Sequence, residues 1–259
     1  MKLIPLFSGS SGKSALVVAG NTKLLIDAGM TGKAITAALN ELGLPPKELS
    51  ALLVTHDHID HTKGVGVMSR KYGIPVYANS GTWSAMKPII GDIPLRNVRY
   101  FNTREDFYIG DVNITPFPTP HDAKESVAFT IVHSGRKLLY MTDIGCVREE
   151  MFEHAKSTHL AFIEANHDVN MLRHGPYPYP LKQRILSDRG HLSNENCGKL
   201  LVRLHSLGVN AAILAHLSSE NNTPDMAFST VVSILEANSI FDMKLCVAAR
   251  DCITGIFEV

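Results

Sequence analysis

The sequence has no excess of either charge, no long apolar run and no closely spaced cysteines. Its 25 Lys and Arg residues equal its 25 Asp and Glu residues, so any nucleic-acid binding needs a local basic patch. The N-terminal residues 1–8 are too short for a secretory signal or a membrane span, and no membrane association is expected. The four cysteines include no Cys-x-x-Cys pair, which indicates reduced thiols in a cytoplasmic protein.

Linkers and low-complexity segments are also absent. A chain of 259 residues that is 45% hydrophobic and 19% charged can bury a large core. We therefore predict one α/β domain spanning residues 1–259.

Turn residues divide the chain into strand and helix patterns. The predicted strands are 3–7, 15–19, 23–26, 51–54, 75–78, 107–109, 112–116, 127–132, 137–141, 160–163, 211–214, 244–247 and 255–258. The predicted helices are 31–42, 63–72, 80–87, 194–206 and 224–237. Two halves, each with strands followed by helices, predict two sheets packed face to face with helices outside.

Histidine is the residue whose placement is most informative. The run His56-Asp57-His58-Ile59-Asp60-His61 begins just past the predicted strand 51–54. In an extended loop His56, His58 and Asp60 project to one side, and His61 adds a fourth donor. Imidazole and carboxylate donors without thiolate suit Zn, Mn or Fe. An ordinary polar loop would leave four donors in six residues unexplained, so the run predicts a metal site.

The segment 55–61 resembles the T-H-x-H-x-D-H signature of the metallo-β-lactamase superfamily. That resemblance implies an αββα four-layer sandwich with two divalent metal ions and three further ligands, each following a strand: His121, Asp143 and His216. It implies that the first metal is held by His56, His58 and His121. It assigns the second to Asp60, His61 and His216, with Asp143 bridging and Asp57 pointing away.

Two further stretches resemble elements of tRNase Z and RNase J type nucleases. Residues 162–166 resemble their H-E-A-T-F element, and residues 190–193 resemble their H-x-[ST] element at a helix start. The resemblance implies that His191 protonates the leaving oxygen and that Glu164 orients the His191 imidazole and keeps it charged. It also places Asp60 in the catalytic set. An exposed histidine and a strand-end carboxylate are the simpler interpretations, but they do not explain why both elements occur together.

Over its whole length the chain resembles a short single-domain bacterial branch called YycJ or WalJ. That resemblance implies a 5′→3′ exonuclease acting on DNA. The chain has no room for the β-CASP insertion of RNase J and no Gly-rich or basic arm like that of tRNase Z. A small-molecule hydrolase on the same metals (a cyclic phosphodiesterase, thioesterase or lactonase) stays open. A regulatory metal-binding module without catalysis would predict a broken ligand set, and no ligand is missing.

Substrate contacts are expected near the predicted acid. Hydroxyls and amides that could hold a nucleic-acid backbone are Ser193, Asn194, Ser218 and Asn221. A local basic patch, which could equally be a solvated face, comprises Arg173, Lys182, Arg184 and Arg189. Tyr177 and Tyr179 could stack on a terminal base, although loop packing is the simpler role. The turn at residues 8–12 could cradle a phosphate or simply join two strands.

Overall fold

Two seven-stranded sheets form the centre of the molecule, and the computed structural model describes all 259 residues. The strands of the first sheet are β1 Lys2–Gly9, β2 Gly12–Ala19, β3 Thr22–Ile26, β4 Ala51–Leu53, β5 Val76–Ala78, β6 Val98–Tyr100 and β14 Phe257–Glu258. Those of the second are β7 Phe107–Ile109, β8 Val112–Pro118, β9 Val127–His133, β10 Arg136–Met141, β11 Leu160–Glu164, β12 Ala211–Ala215 and β13 Lys244–Val247. Their orders are β14-β1-β2-β3-β4-β5-β6 and β13-β12-β11-β10-β9-β8-β7.

Helices cover the outer face of each sheet. They are α1 Gly32–Glu41, α2 Ile59–Thr62, α3 Val65–Tyr72, α4 Ser80–Ile90, α5 Glu150–Ala155, α6 Val169–His174, α7 Tyr179–Leu186, α8 Asn194–Ser206 and α9 Pro224–Ala237, with short 3-10 helices at Pro46–Glu48 and Leu95–Asn97. None of these helices combines the length and the apolar character needed to cross a bilayer.

Three apolar clusters define the layers. One lies between the two sheets and joins residues such as Val17 and Ile26 to Phe129 and Phe162. A second packs α1, α3 and α4 on the first sheet, and a third packs α5, α8 and α9 on the second. Successive residues along a strand point alternately into the cluster between the sheets and into the cluster under the helices, as the two-residue period of a β-strand requires. The predicted αββα four-layer sandwich is confirmed.

Four helices, α2, α5, α6 and α7, were not predicted from the sequence. The expected extended loop ends at His58, because Asp60 and His61 lie in the helical turn α2. Each of the four helices has at most eight residues, too few for a clear apolar periodicity. Prolines on both sides of Tyr179 suggested a loop, yet Pro180 lies in the first turn of α7, where its missing N–H is not needed. The helices α6 and α7 matter for function because they lie in the segment 169–186 that precedes His191.

Candidate metal centre and proton relay

The donor side chains lie just past the carboxyl ends of strands from both sheets. His56 follows β4, His121 follows β8, Asp143 follows β10 and His216 follows β12. Asp143 and His216 each have a φ of 59°, which side-chain-bearing residues rarely adopt. Such backbone strain clusters at functional sites, and here it turns both side chains toward the junction of the sheets.

Three histidines form the first donor group. The ligand atoms of His56, His58 and His121 all lie within 4.8 Å of one another. His121 Nδ1 lies 3.0 Å from the Gly190 carbonyl and donates to it, which leaves Nε2 as the ligand atom. His56 Nε2 is buried and has no hydrogen-bond partner. A buried imidazole nitrogen without a hydrogen-bond partner, close to two further imidazoles, is an arrangement that fits a metal ion.

Burial keeps the imidazoles of His56 and His121 neutral. It lowers the pKa of His56 well below the ordinary value, and the neighbouring His61 lowers it further. Burial likewise lowers the pKa of His121 to about 4. The neutral imidazole is the form that binds a metal, so both residues are ready to act as ligands at neutral pH.

The second predicted ligand set is arranged around a lysine. Lys13 Nζ lies 2.8 Å from Asp60 Oδ2, 2.7 Å from His61 Nε2 and 3.3 Å from Asp143 Oδ1. Burial alone would lower the pKa of Lys13, but the charges of Asp143 and Asp60 outweigh it and raise the pKa. The fourth predicted member, His216, belongs to another donor group, with Asp143, Glu164 and His191.

Asp27 orients His61 from behind. Its Oδ2 lies 2.7 Å from His61 Nδ1, and its Oδ1 accepts the backbone N–H of Thr55 at 2.8 Å. With a proton on Nδ1 donated to Asp27, Nε2 is the ring nitrogen of His61 that faces the donor group. A carboxylate in this position fixes the ring orientation and tautomer of a ligand histidine.

Glu164 and His191 form the predicted pair. His191 Nδ1 donates to Glu164 Oε1 at 2.8 Å. Glu164 Oε2 accepts the backbone N–H groups of Ile144, at 2.8 Å, and Leu192, at 3.2 Å. Burial would raise the pKa of Glu164, but the charges of His191 and His216 and the hydrogen bond from His191 lower it to about 2. Burial would lower the pKa of His191, but the Glu164 carboxylate raises it.

A cavity of about 270 Å³ opens over these groups. It is lined by His58, Asp60, Asp143, His191 and His216, together with Ser10, Ile59, Asn166, Tyr177, Leu181, Arg184, Ile185 and Ser218. Four candidate metal donors and His191 therefore face one shared space that a substrate can enter.

Two of the four expected polar substrate contacts have structural roles instead. The Ser193 hydroxyl caps α8 by accepting the N–H of Asn196. The Asn194 amide is buried and exchanges hydrogen bonds with Asn222. Neither side chain is free to contact a substrate here, since their polar groups are satisfied inside the protein. Ser218 lines the cavity, whereas Asn221 is fully buried below it.

The expected basic patch is partly engaged within the protein. Arg184 forms an ion pair with Asp122, whose Oδ1 lies 3.5 Å from His121 Nε2. Arg189 donates through Nε and Nη2 to the His121 carbonyl, at 3.2 and 3.1 Å. Lys182 donates to the Arg173 carbonyl at 2.8 Å. Arg184 and Arg189 thus support the loop that carries His121.

The predicted turn at residues 8–12 is shorter in the structure, where only Ser10 and Ser11 separate β1 from β2. The N–H groups of Ser8 and Gly9 donate to the Arg250 carbonyl, so they are not free for a phosphate. Of the two tyrosines, Tyr177 lines the cavity and Tyr179 is exposed at the start of α7. Asp57 accepts the backbone N–H of Lys124 and does not enter the donor groups, as predicted.

Sequence reasoning missed Lys13 and Asp27. An isolated lysine in a turn normally indicates an exposed position, because lysine is almost never fully buried without partners. Asp27 carried a signal: it is an acidic residue at the end of an apolar strand and is followed by Ala-Gly. A carboxylate in that place indicates a strand end turned toward a site.

Comparison with known proteins agrees with this architecture. Residues 22–217 match the family model described as the beta-lactamase superfamily domain. The exodeoxyribonuclease YycJ of Bacillus anthracis is 41% identical over 231 residues, which cover 89% of this chain and 88% of the relative. The exodeoxyribonuclease WalJ of Streptococcus pneumoniae is 38% identical over 259 residues, which cover 98% and 96%.

Solved structures show the same fold. The metallo-beta-lactamase fold protein YhfI from Bacillus subtilis superposes with a TM-score of 0.74 at 16% identity, covering 100% of this chain and 99% of its own. The short form of human tRNase Z gives a TM-score of 0.66 at 14% identity, with full coverage of both chains. The chain belongs to the metallo-β-lactamase superfamily of hydrolases, in the same family as the exodeoxyribonucleases YycJ and WalJ.

Proposed function

We propose that this protein is a metal-dependent phosphodiesterase that degrades DNA as a 5′→3′ exonuclease. The observation that carries the proposal is the Glu164–His191 pair, which faces the same cavity as the metal-site donors. Thioester hydrolysis releases a thiolate, which leaves without a proton donor of this kind beside the metals. The names of the relatives YycJ and WalJ, both exodeoxyribonucleases, support DNA as the substrate.

The chemistry divides between the metals and the chain. When bound, divalent ions supply Lewis-acid activation of the attacking water and neutralise charge on the phosphoryl oxygens. His56, His58 and His121 would hold the first ion, and Asp143 has one oxygen 3.3 Å from His61 Nε2 and the other 3.8 Å from His121 Nε2. His191 then donates a proton to the departing 3′ oxygen. Glu164 keeps that imidazole protonated and oriented, and general acid help of this kind is typically worth ~10²–10⁴-fold.

The size of the cavity supports cleavage at a chain end. Its volume of about 270 Å³ is below the roughly 300–1,000 Å³ of pockets for drug-sized ligands. A terminal nucleotide is therefore a better fit than a whole duplex. Tyr177 lines the same cavity and offers a surface on which a terminal base could stack.

DNA would be held outside the cavity by the basic residues around α7. Three or four phosphate contacts from this local patch give an expected log–log salt slope of about −3 to −4 on duplex DNA. We place the enzyme in the cytoplasm, where its DNA substrate is available and its four free cysteines stay reduced.

A nuclease assay tests the proposal directly. The Mn²⁺- or Zn²⁺-loaded protein is incubated with duplexes labelled at either the 5′ or the 3′ end, with RNA of the same sequence and with bis(p-nitrophenyl) phosphate. We expect mononucleotides from the 5′ end of DNA, and His191→Ala is the matched control. Turnover of bis(p-nitrophenyl) phosphate without release of mononucleotides would instead favour a small-molecule phosphodiesterase, which the small cavity also fits.

A further inference from the structure

The Lys13 ammonium lies among the side chains that the superfamily resemblance assigns to the second metal. Its Nζ contacts Asp60, His61 and Asp143 at 2.8, 2.7 and 3.3 Å. The Lys13 side chain is only 2% exposed, although lysine is almost never buried unless it is paired. Two carboxylates and one imidazole therefore satisfy this cation, as they would satisfy a metal ion.

The backbone around Lys13 holds it in this place. The Lys13 carbonyl accepts the N–H of Gly29 at 2.8 Å. A Cβ on Gly29 would collide with the Asp60 carbonyl, and a Cβ on Gly12 would lie 2.8 Å from the backbone of Gly29. Glycine at both positions lets the two loops approach closely. Lys13 can therefore leave the donor group only by rotating its own side chain, because its backbone has no room to shift.

An ammonium and a divalent ion cannot use these donors together. Zinc bonds to nitrogen and oxygen ligands are about 2.0–2.2 Å long, so an ion within reach of Asp60 and His61 would overlap Nζ. We propose that Lys13 is a built-in competitor for the second metal ion. The chain then binds one ion tightly at His56, His58 and His121, and a second only when Lys13 is displaced from Asp60 and His61.

The two donor groups of this centre would then bind metal ions with unequal affinities. The first donor group contains no cation, and its buried His56 Nε2 has no partner to lose. The second must give up three contacts of Lys13 before it can accept an ion. This inference rests on the metal-dependent hydrolase proposed above, but its test measures metal binding and not turnover, so the two can fail separately.

Calorimetric titration of the chelator-treated protein with Zn²⁺, together with native mass spectrometry, tests the competition. We expect the wild type to bind one equivalent tightly and a second at least ~30-fold more weakly. In Lys13→Gln, which is neutral and similar in length, the second equivalent should bind at least ~10-fold more tightly while the first changes little. Lys244→Gln, the same charge change at an exposed site on β13, is the matched control.

A second measurement needs no variant. Acetylation of lysines, read by peptide mass spectrometry, should leave Lys13 unmodified in the metal-free protein, with exposed Lys244 as the reference. At two bound equivalents of Zn²⁺ the displaced Lys13 should become modified. Two equal affinities in the wild type with an unchanged isotherm in Lys13→Gln would overturn the proposal. So would continued protection of Lys13 when two ions are bound.

Discussion

Glu164 combines a structural role with a chemical one, and two substitutions separate them. Its Oε2 is the acceptor for two buried backbone N–H groups, those of Ile144 and Leu192. Glu164→Ala leaves both without a partner, at about 1–3 kcal/mol each. The expected loss of stability is therefore about 2–6 kcal/mol, before the lost hydrogen bond of His191 is counted. That is a large part of the roughly 5–15 kcal/mol by which domains are stable.

Glu164→Gln should behave differently. The amide oxygen can still accept from Ile144 and Leu192, so we expect a loss of only about 1 kcal/mol. The neutral amide no longer holds the charge of His191, and turnover should fall almost as far as in His191→Ala. The two variants are thus expected to differ in stability while sharing the catalytic defect.

Urea unfolding followed by circular dichroism, in the presence of a chelator, measures the stabilities without any contribution from bound metal. Glu236→Ala, which removes an exposed carboxylate on α9, is the control and should change stability by less than about 0.5 kcal/mol. The reasoning is refuted if Glu164→Ala is as stable as the wild type, or if Glu164→Gln is destabilised as much as Glu164→Ala.

Three further outcomes are expected. His191→Ala should keep its metal content yet cleave DNA ~10²-fold more slowly, with a smaller loss on bis(p-nitrophenyl) phosphate, whose leaving group needs less protonation; equal losses on both substrates would count against the acid role. Asp27→Asn should weaken binding of the second Zn²⁺ equivalent ~10–100-fold in calorimetry, because His61 loses the carboxylate that orients it; an unchanged second binding step would contradict this. Arg173→Gln, which removes an exposed charge on α6, should reduce the salt slope of DNA binding by about one unit and spare the small substrate, whereas Arg96→Gln should change neither; an unaltered slope in Arg173→Gln would show that Arg173 does not contact DNA.

The sequence predicts the sandwich because turns and apolar periods are local signals. Gly20, with a φ of 56°, marks the hairpin between β2 and β3 as the sequence indicated. Each histidine of the first donor group could also be found, since His56 and His58 share a motif and His121 follows a strand. These positions depend on neighbours in the chain or on a strand end, and both are visible in the sequence.

The remaining features depend on contacts between distant segments. Lys13 and Asp60 are 47 residues apart, and nothing near Lys13 indicates that its charge is buried. Asn194 stands next to the predicted acid, but its pairing with Asn222 across 28 residues removes it from the substrate. Such roles are decided by tertiary packing, which residue types at a single position do not reveal.

The centre draws its donors from both sheets and from most of the chain, starting at His56 and ending with His216. During synthesis a domain acquires its contacts as the chain emerges, beginning from the N-terminus. The His56 segment is thus made long before β12, which carries His216 at its end. A nascent chain lacks a complete centre until β12 and His216 have been made. We therefore expect no hydrolysis by the nascent chain before β12 can pack beside β11.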